Sequence, residues 1–268
     1  MTKIVQTPAA RDRTLLAALD RRAVRVVVLD RDRPWIGELV SGDALSAIRS
    51  LTRKGWLVPV RRGAWVVRSR SGALPVSALE LVGHLSGQRH LVTGGRALDI
   101  RGLSDQAFRR VTVLVDTSQR SWVWLDEEVR YTVVPPKRIW GGSHAASLEL
   151  TWVATAERAL LDSFARPSLG VSMRHAVEAL EVYLHRHAEP PRRLAEAAAR
   201  YENASLARRI GLLVEHLAGE TAALPFASLV GPSHATVDLG EPRTTDDRTT
   251  VNSRWRVRHG DLRSLLPT

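Results

Sequence analysis

The first forty residues alternate between short amphipathic and β-branched segments. Leucines at three- and four-residue spacing predict a helix over residues 8–22, and a β-branched run predicts a short strand over 24–29. Asp32 is expected to cap a second short helix that extends to Leu39. The pattern therefore predicts helix, strand and helix before residue 40.

A third helix is predicted to begin at Ser41 or Asp43, to run to about Lys54 and to end at Gly55. Its predicted buried face consists of Ala44, Leu45, Ile48 and Leu51. Its opposite face consists of Ser46, Arg49, Ser50 and Arg53. Glutamate usually occurs among the residues of a solvated helix face, but none occurs on this one. The face suits a DNA major groove, because Arg can bridge guanine O6 and N7 while Ser can meet base edges or phosphates.

Two short apolar runs follow and flank the tripeptide Arg61-Arg62-Gly63. Glycine supplies the positive φ of a tight turn, so residues 56–67 predict a β-hairpin with two arginines at its tip. An ordinary hairpin with a soluble tip has the same pattern. The order of helix, short helix, basic helix and basic hairpin nevertheless favours a winged helix-turn-helix, whose hairpin contacts phosphates or the minor groove.

The rest of the chain mixes helix and strand patterns behind a small, polar linker at residues 69–74. Helices are predicted over 76–85, 93–100, 155–164, 171–184, 192–201 and 206–217, strands over 90–92, 110–115, 122–125 and 129–134, and weak strand signals over the tail, 226–266. The predicted fold class is α+β, with an N-terminal winged helix-turn-helix domain over residues 1–70. A larger mixed α/β domain is predicted over 71–268.

Charge adds to this picture because it is concentrated at one end of the chain. The net charge is +11, and residues 1–70 hold fifteen basic against six acidic residues, which leaves +9 there and +2 in the remainder. A compact basic region is typical of proteins that bind polyanions. An arginine-rich solvated face is the alternative, since lysine occurs only at positions 3, 54 and 137.

Several stretches resemble a known family. They are residues 44–57 (ALSAIRSLTRKGWL), 60–65 (VRRGAW), 135–138 (PPKR), 153–162 (VATAERALLD) and 252–257 (NSRWRV). Together they resemble the AbiEi antitoxins of bacterial type IV abortive-infection toxin–antitoxin systems. The resemblance covers most of the chain and is strongest at 44–67 and 151–163.

The resemblance implies that the two domains have different functions. The winged helix would repress the toxin–antitoxin operon at inverted repeats in its promoter, and the C-terminal domain would supply antitoxicity. The expected partners are double-stranded operator DNA and a cognate nucleotidyltransferase-like toxin, which type IV antitoxins counter without necessarily binding it. The residues expected to contact DNA are Ser46, Arg49, Ser50, Arg53, Lys54, Arg61 and Arg62. The oligomeric state stays open.

Two other functions stay open beside the antitoxin hypothesis. The chain can be a protein-interaction module that neutralises a toxin by direct contact, or a plain winged-helix regulator without a toxin partner. An enzyme is the least favoured class. The sequence holds no cysteine, no Asp/Glu-x-Lys nuclease motif, no phosphate-binding loop, no Gly-x-Gly-x-x-Gly fingerprint and no Gly-x-Ser-x-Gly elbow. We therefore expect neither catalysis nor a cofactor.

Two clusters of polar residues invite chemical interpretations. Glu181 and His185 share a helix face and can hold a metal, although basic residues at a helix C-terminus also suit the macrodipole. Arg158 and Asp162 are interpreted as an i,i+4 ion pair. Trp35, Trp56 and Trp65 are expected to pack the small N-terminal domain and not to stack on bases.

The sequence also bears on location. No stretch approaches the run of about 18 apolar residues that a membrane span needs. Residues 1–13 lack the apolar core of a secretion signal. We therefore expect a cytoplasmic protein without a membrane partner.

Overall fold

The computed structural model describes residues 7–69, 71–146, 148–169, 171–231, 235–240 and 249–265. Parts of three predicted segments lie outside the described residues: residues 1–6 of the N-terminal segment, Arg70 of the linker, and 232–234, 241–248 and Leu266 of the tail.

The protein has mixed α and β structure, as the α+β prediction requires. The described helices are α1 (Ala10–Arg21), α2 (Leu29–Leu39), α3 (Ala44–Arg53), α4 (Ala78–Leu85), α5 (Gly95–Ile100), α6 (Ala156–Ala165), α7 (Met173–Arg186), α8 (Pro190–Tyr201), α9 (Ala204–Ala218) and α10 (Glu220–Ala227). The described strands are β1 (Val26–Val28), β2 (Leu57–Arg61), β3 (Ala64–Val67), β4 (His90–Thr93), β5 (Arg110–Val115), β6 (Trp122–Trp124), β7 (Glu127–Val133), β8 (Gly142–His144), β9 (Trp152–Ala154), β10 (Val237–Asp238), β11 (Thr250–Asn252) and β12 (Val257–His259). Single 3₁₀ turns span Pro136–Arg138, Pro167–Leu169 and Leu262–Leu265.

The chain divides into two compact units. The first consists of Met1–Gln88, Gln119–Val129 and Ala146–Thr151, and the second of Arg89–Ser118, Arg130–Ala145 and Trp152–Thr268. The domain boundary inferred from the sequence at residue 70 stays a prediction.

Three helices and a small sheet build the core of the first unit. Strand β3 lies between β1 and β2 and pairs antiparallel with both. The buried core consists of Leu15, Leu19, Val27, Ile36, Ala44, Ala47, Ile48, Leu51 and Leu57. Trp35, Trp56 and Trp65 pack against it, which confirms the packing predicted for these tryptophans. Burial of such side chains stabilises the unit by about 25 cal/mol per Å² of apolar surface.

Two details of this unit differ from what the sequence pattern predicts. Helix α2 begins at Leu29, so the prediction that Asp32 caps its start was wrong. Asp32 lies within the first turn of α2 and accepts a hydrogen bond from the N–H of Val28 at 2.8 Å, which satisfies one of the orphan donors at that helix end. Leu45, predicted to be buried, is only half-buried, whereas Ala47, which the prediction left out of the buried face of α3, belongs to the core.

The second unit is built on a sheet in which β4 lies between β5 and β9. Strand β4 pairs antiparallel with β5 and parallel with β9, whose other neighbour is the antiparallel β8. Helix α6 follows β9 and is buried over Ala156–Phe164, so it is a central helix without a solvated face. Thr155 caps it by accepting a hydrogen bond from the N–H of Arg158.

The C-terminal part of the second unit departs from the prediction. Residues 220–227 form α10, although Pro225 lies within it and the pattern predicts a tail with weak strand signals from residue 226. Strand β12 pairs parallel with β10 and antiparallel with β11. The turn between β11 and β12 buries Trp255 against α9, where Gly211 leaves room for the indole ring.

Candidate nucleic-acid interface

Helix α3 starts at a strong side-chain cap. The Asp43 carboxylate accepts hydrogen bonds from the backbone N–H groups of Leu45 at 3.0 Å and Ser46 at 3.1 Å. Arg11 of α1 donates to the Asp43 carbonyl oxygen at 3.0 Å, so α1 also holds this end. The turn that joins α2 to α3 contains Ser41 in the left-handed region, with φ +48°. Cap and turn together fix where α3 begins.

The polar side of α3 is not uniform in exposure. Ala44, Ala47, Ile48 and Leu51 are buried on the core side of the helix. Ser46, Arg49 and Arg53 are exposed and recur at three- and four-residue spacing, so they share one face. These are three of the four residues that the sequence predicts for the base-contacting face.

The remaining members of the predicted set on this helix turn toward α1. Ser50 donates a hydrogen bond to Asp12 Oδ2 at 3.1 Å, and Lys54 Nζ forms an ion pair with the same oxygen. Burial alone would raise the pKa of Asp12, but the hydrogen bonds from Lys54 and Ser50 and the lysine charge hold this pKa below its ordinary value. At neutral pH, Asp12 is therefore a buried, paired carboxylate.

Sequence reasoning missed Asp12, although a signal was present. Asp12, Leu15 and Leu19 follow each other at spacings of three and four, so the carboxylate lies in the apolar stripe of α1. A buried carboxylate needs a hydrogen-bonded or charged partner. The stripe thus indicates a partner for Asp12, but only the fold identifies it as Lys54, 42 residues away.

The two arginines at the β2–β3 hairpin have different surroundings. Gly63 has φ +80° and closes the turn, as predicted, and Arg62 beside it is exposed. Arg61 is half-buried and donates to the Leu85 carbonyl at 2.7 Å and to Gln119 Oε1 at 3.4 Å. Arg61 therefore ties the hairpin to other segments of the first unit. Its role as a phosphate contact stays a prediction.

The second unit holds a polar cluster of a different kind. Arg158 Nε lies 2.9 Å from Asp162 Oδ2, which confirms the predicted i,i+4 pair, and both side chains are buried. Asp162 also accepts hydrogen bonds from Thr93 at 2.7 Å and Tyr201 at 2.9 Å. The Arg158 guanidinium lies 4.5 Å from the Trp140 ring centroid. Thr93, Arg158 and Tyr201, the partners of this carboxylate among the described residues, belong to the second unit itself, which is typical of a structural network.

A second buried carboxylate in this unit was missed by sequence reasoning. Glu157 accepts hydrogen bonds from Tyr183 at 3.0 Å and pairs with Arg193 at 2.8 Å. Burial would raise the pKa of Glu157, but the hydrogen bonds and the charge of Arg193 lower it. Burial and the neighbouring carboxylates raise the pKa of Tyr201 to about 12 and also raise the pKa of Tyr183. Both phenols therefore act as donors at neutral pH.

Glu181 and His185, whose pattern leaves a metal site open beside the macrodipole interpretation, both lie on α7. His185 Nδ1 lies 2.8 Å from the backbone oxygen of Glu181. Within the part of the chain that the structure describes, no group of three or more His, Asp or Glu side chains is arranged to hold a metal. Each described helix is also too short or too polar to cross a lipid bilayer.

Comparison with known proteins bears on the fold. No family model and no curated protein matches the chain. Among solved structures, the crystal structure of the RV2827C protein from Mycobacterium tuberculosis is similar, with a TM-score of 0.68 and 16% sequence identity. The match covers 96% of this chain and 94% of that chain. At this identity the likeness extends to the fold alone.

Proposed function

We propose that this protein is a sequence-specific DNA-binding repressor whose first unit contains a winged helix-turn-helix. In this proposal α2 and α3 form the helix-turn-helix, α3 enters the major groove, and the β2–β3 hairpin is the wing. The observation that carries the proposal is the exposed row of Ser46, Arg49 and Arg53 on α3, opposite a fully buried face of the same helix.

The exposed side chains divide into two roles. Arg49 and Arg53 present forked donors that match guanine O6 and N7, so they would supply base discrimination together with Ser46. Arg62 would contact phosphate and contribute affinity without sequence preference. Arg61, bound to the Leu85 carbonyl, would hold the wing in place.

The regulated operon follows from the resemblance to the AbiEi antitoxins. We propose that the protein represses its own promoter at inverted repeats and counters a nucleotidyltransferase-like toxin encoded beside it. The basic first seventy residues support the DNA-binding part of this proposal. The antitoxin part rests on the sequence resemblance.

A fluorescence titration tests the proposal. The full-length protein is titrated against its own upstream region and against unrelated DNA at two salt concentrations. We expect tight binding to the upstream region that survives competitor DNA and weakens steeply with salt. Equal affinity for both DNAs would contradict the repressor proposal and would make a direct protein interaction the leading account.

A further inference from the structure

Asp12 is placed to control two side chains at the edge of the proposed DNA-binding face. It lies in α1 and is 2% exposed, yet it reaches Ser50 on α3 and Lys54 just beyond the end of that helix. The Lys54 side chain is 23% exposed, so it lies at the protein surface while its ammonium group is paired. The carboxylate of α1 therefore contacts α3 and the residue after it from within the protein, through Ser50 and Lys54.

Pairing changes the charge that this edge offers to DNA. A lysine that neutralises a phosphate releases a counterion and steepens the salt dependence of binding by about one unit of slope. While Lys54 is paired with Asp12, the pair as a whole is neutral and contributes no net charge to phosphate binding. Arg49 and Arg53 on this face and Arg62 on the hairpin are exposed cations, while Arg61 on the hairpin is half-buried.

Pairing also decides what Ser50 can recognise. A serine hydroxyl has one hydrogen to donate and two lone pairs that accept. The hydrogen of Ser50 is directed at Asp12 Oδ2, 3.1 Å away, so toward DNA the hydroxyl can only accept. The donors that bases present in the major groove are the amino groups of adenine and cytosine. Ser50 would then select these bases over guanine and thymine.

We propose that Asp12 is a specificity-determining residue: it withholds the charge of Lys54 from the phosphates and fixes Ser50 as an acceptor for adenine or cytosine. This inference rests on the proposed DNA-binding function. Asp12 touches no DNA in this account and acts by positioning Ser50 and Lys54. If Asp12 only joined α1 to α3 structurally, its replacement would leave the salt slope and the base preference of DNA binding unchanged.

The test compares the wild type with Asp12→Asn and with the double variant Asp12→Asn/Lys54→Met. Affinity is measured against salt concentration on the upstream region and on an unrelated duplex. For the single variant we expect a slope steeper by about one and a several-fold gain in affinity for the unrelated duplex. The double variant restores a neutral pair and should return to the wild-type slope. Thermal melts establish that each variant is folded at the assay temperature.

A base panel tests the Ser50 part of the inference. At one operator position the wild type should prefer adenine or cytosine, and Ser50→Ala should lose that preference while its salt slope stays at the wild-type value. A preference for guanine or thymine at the Ser50-dependent position would overturn the acceptor assignment.

The wild type alone gives an answer if Asp12→Asn does not fold. Lys3, Lys54 and Lys137 are the lysines of the chain, so ¹⁵N-lysine labelling resolves the Lys54 ammonium group by NMR. Addition of the upstream duplex should leave its chemical shift unchanged. A large shift, or an unchanged salt slope in folded Asp12→Asn, would overturn the inference while the repressor proposal stands. A wild type without preference for its upstream region overturns the repressor proposal instead, and the inference with it.

Discussion

The exposed face of α3 and the polar cluster around α6 use similar residues for opposite purposes. On α3, Arg49 and Arg53 point away from a buried apolar face and meet solvent. In the second unit, Arg158 is sealed between Asp162 and the Trp140 ring. On both helices two polar residues are four positions apart, Arg49 and Arg53 on α3 and Arg158 and Asp162 on α6. The difference lies in whether the rest of the unit supplies partners, and that difference separates a candidate binding face from a structural network.

The largest expected effect is the loss of the buried pair. Arg158→Met leaves Asp162 buried without its cation, which typically costs about 3–5 kcal/mol in the free energy of unfolding. Urea denaturation followed by circular dichroism measures this loss. The matched control is Arg174→Met, which breaks the half-exposed i,i+4 pair of Arg174 and Glu178 and should cost about 0.5 kcal/mol or less. Equal losses in the two variants would contradict the contrast between regions.

The next effect concerns base recognition. Arg49→Ala should remove discrimination at one operator position by about 1–3 kcal/mol, because a bidentate contact with guanine is lost. A panel of single-base operator variants, titrated with the wild type and Arg49→Ala, measures it. Arg21→Ala removes an exposed charge from the end of α1 and serves as control. If both variants weaken all operators equally, Arg49 acts only as a charge.

The two hairpin arginines should respond differently. Arg62→Ala should weaken binding to any sequence and flatten the salt slope by about one, because an exposed phosphate contact is lost. Arg61→Ala should mainly lower the melting temperature, because its hydrogen bonds to Leu85 and Gln119 are lost. Identical salt slopes for Arg62→Ala and the wild type would contradict the proposal that the hairpin contacts DNA phosphates through Arg62.

The smallest effect is a pH dependence of stability in the second unit. The pKa of Glu157 in the folded protein is lowered below its ordinary value of 4.5. Its contribution to the free energy of unfolding is therefore fully present above about pH 4.5, and it is lost as the pH falls through the folded pKa. Glu157→Gln should thus be less stable than the wild type at pH 7, with the difference shrinking in acid. We expect less than about 1 kcal/mol, because its partner Arg193 is half-exposed. Thermal melts of both proteins from about pH 7 into acid measure the difference. A stability difference that did not change with pH would contradict the lowered pKa of Glu157.

Local patterns were enough to predict most elements. Apolar spacing indicated α1, α3 and the β2–β3 hairpin, and Gly63 marked the turn. The start of α2 was misplaced because Asp32 resembles a cap, whereas its carboxylate reaches back to Val28 from inside the helix. Helix α10 was missed because Pro225 normally argues against a helix interior.

Exposure within the candidate site was predictable only in part. Periodicity alone places Ser46, Arg49 and Arg53 opposite the core of α3. It cannot show that Lys54 meets Asp12, or that Arg61 meets Leu85, because those partners lie 42 and 24 residues away in the sequence. The sequence therefore predicts which residues are basic and which helix bears them. Tertiary contacts decide which of these charges are already used inside the protein.

Whether α3 is the recognition helix is tested most directly by a photo-crosslinking map of the full-length protein on its upstream DNA. A benzophenone amino acid replaces Ser46 on α3 in one variant and Arg192, exposed on α8 of the second unit, in another. We expect the probe at position 46 to crosslink to the operator duplex, and unlabelled operator to compete this product away. A protein that binds the upstream region but crosslinks from position 192 and not from position 46 would contradict the assignment of α3 as the recognition helix.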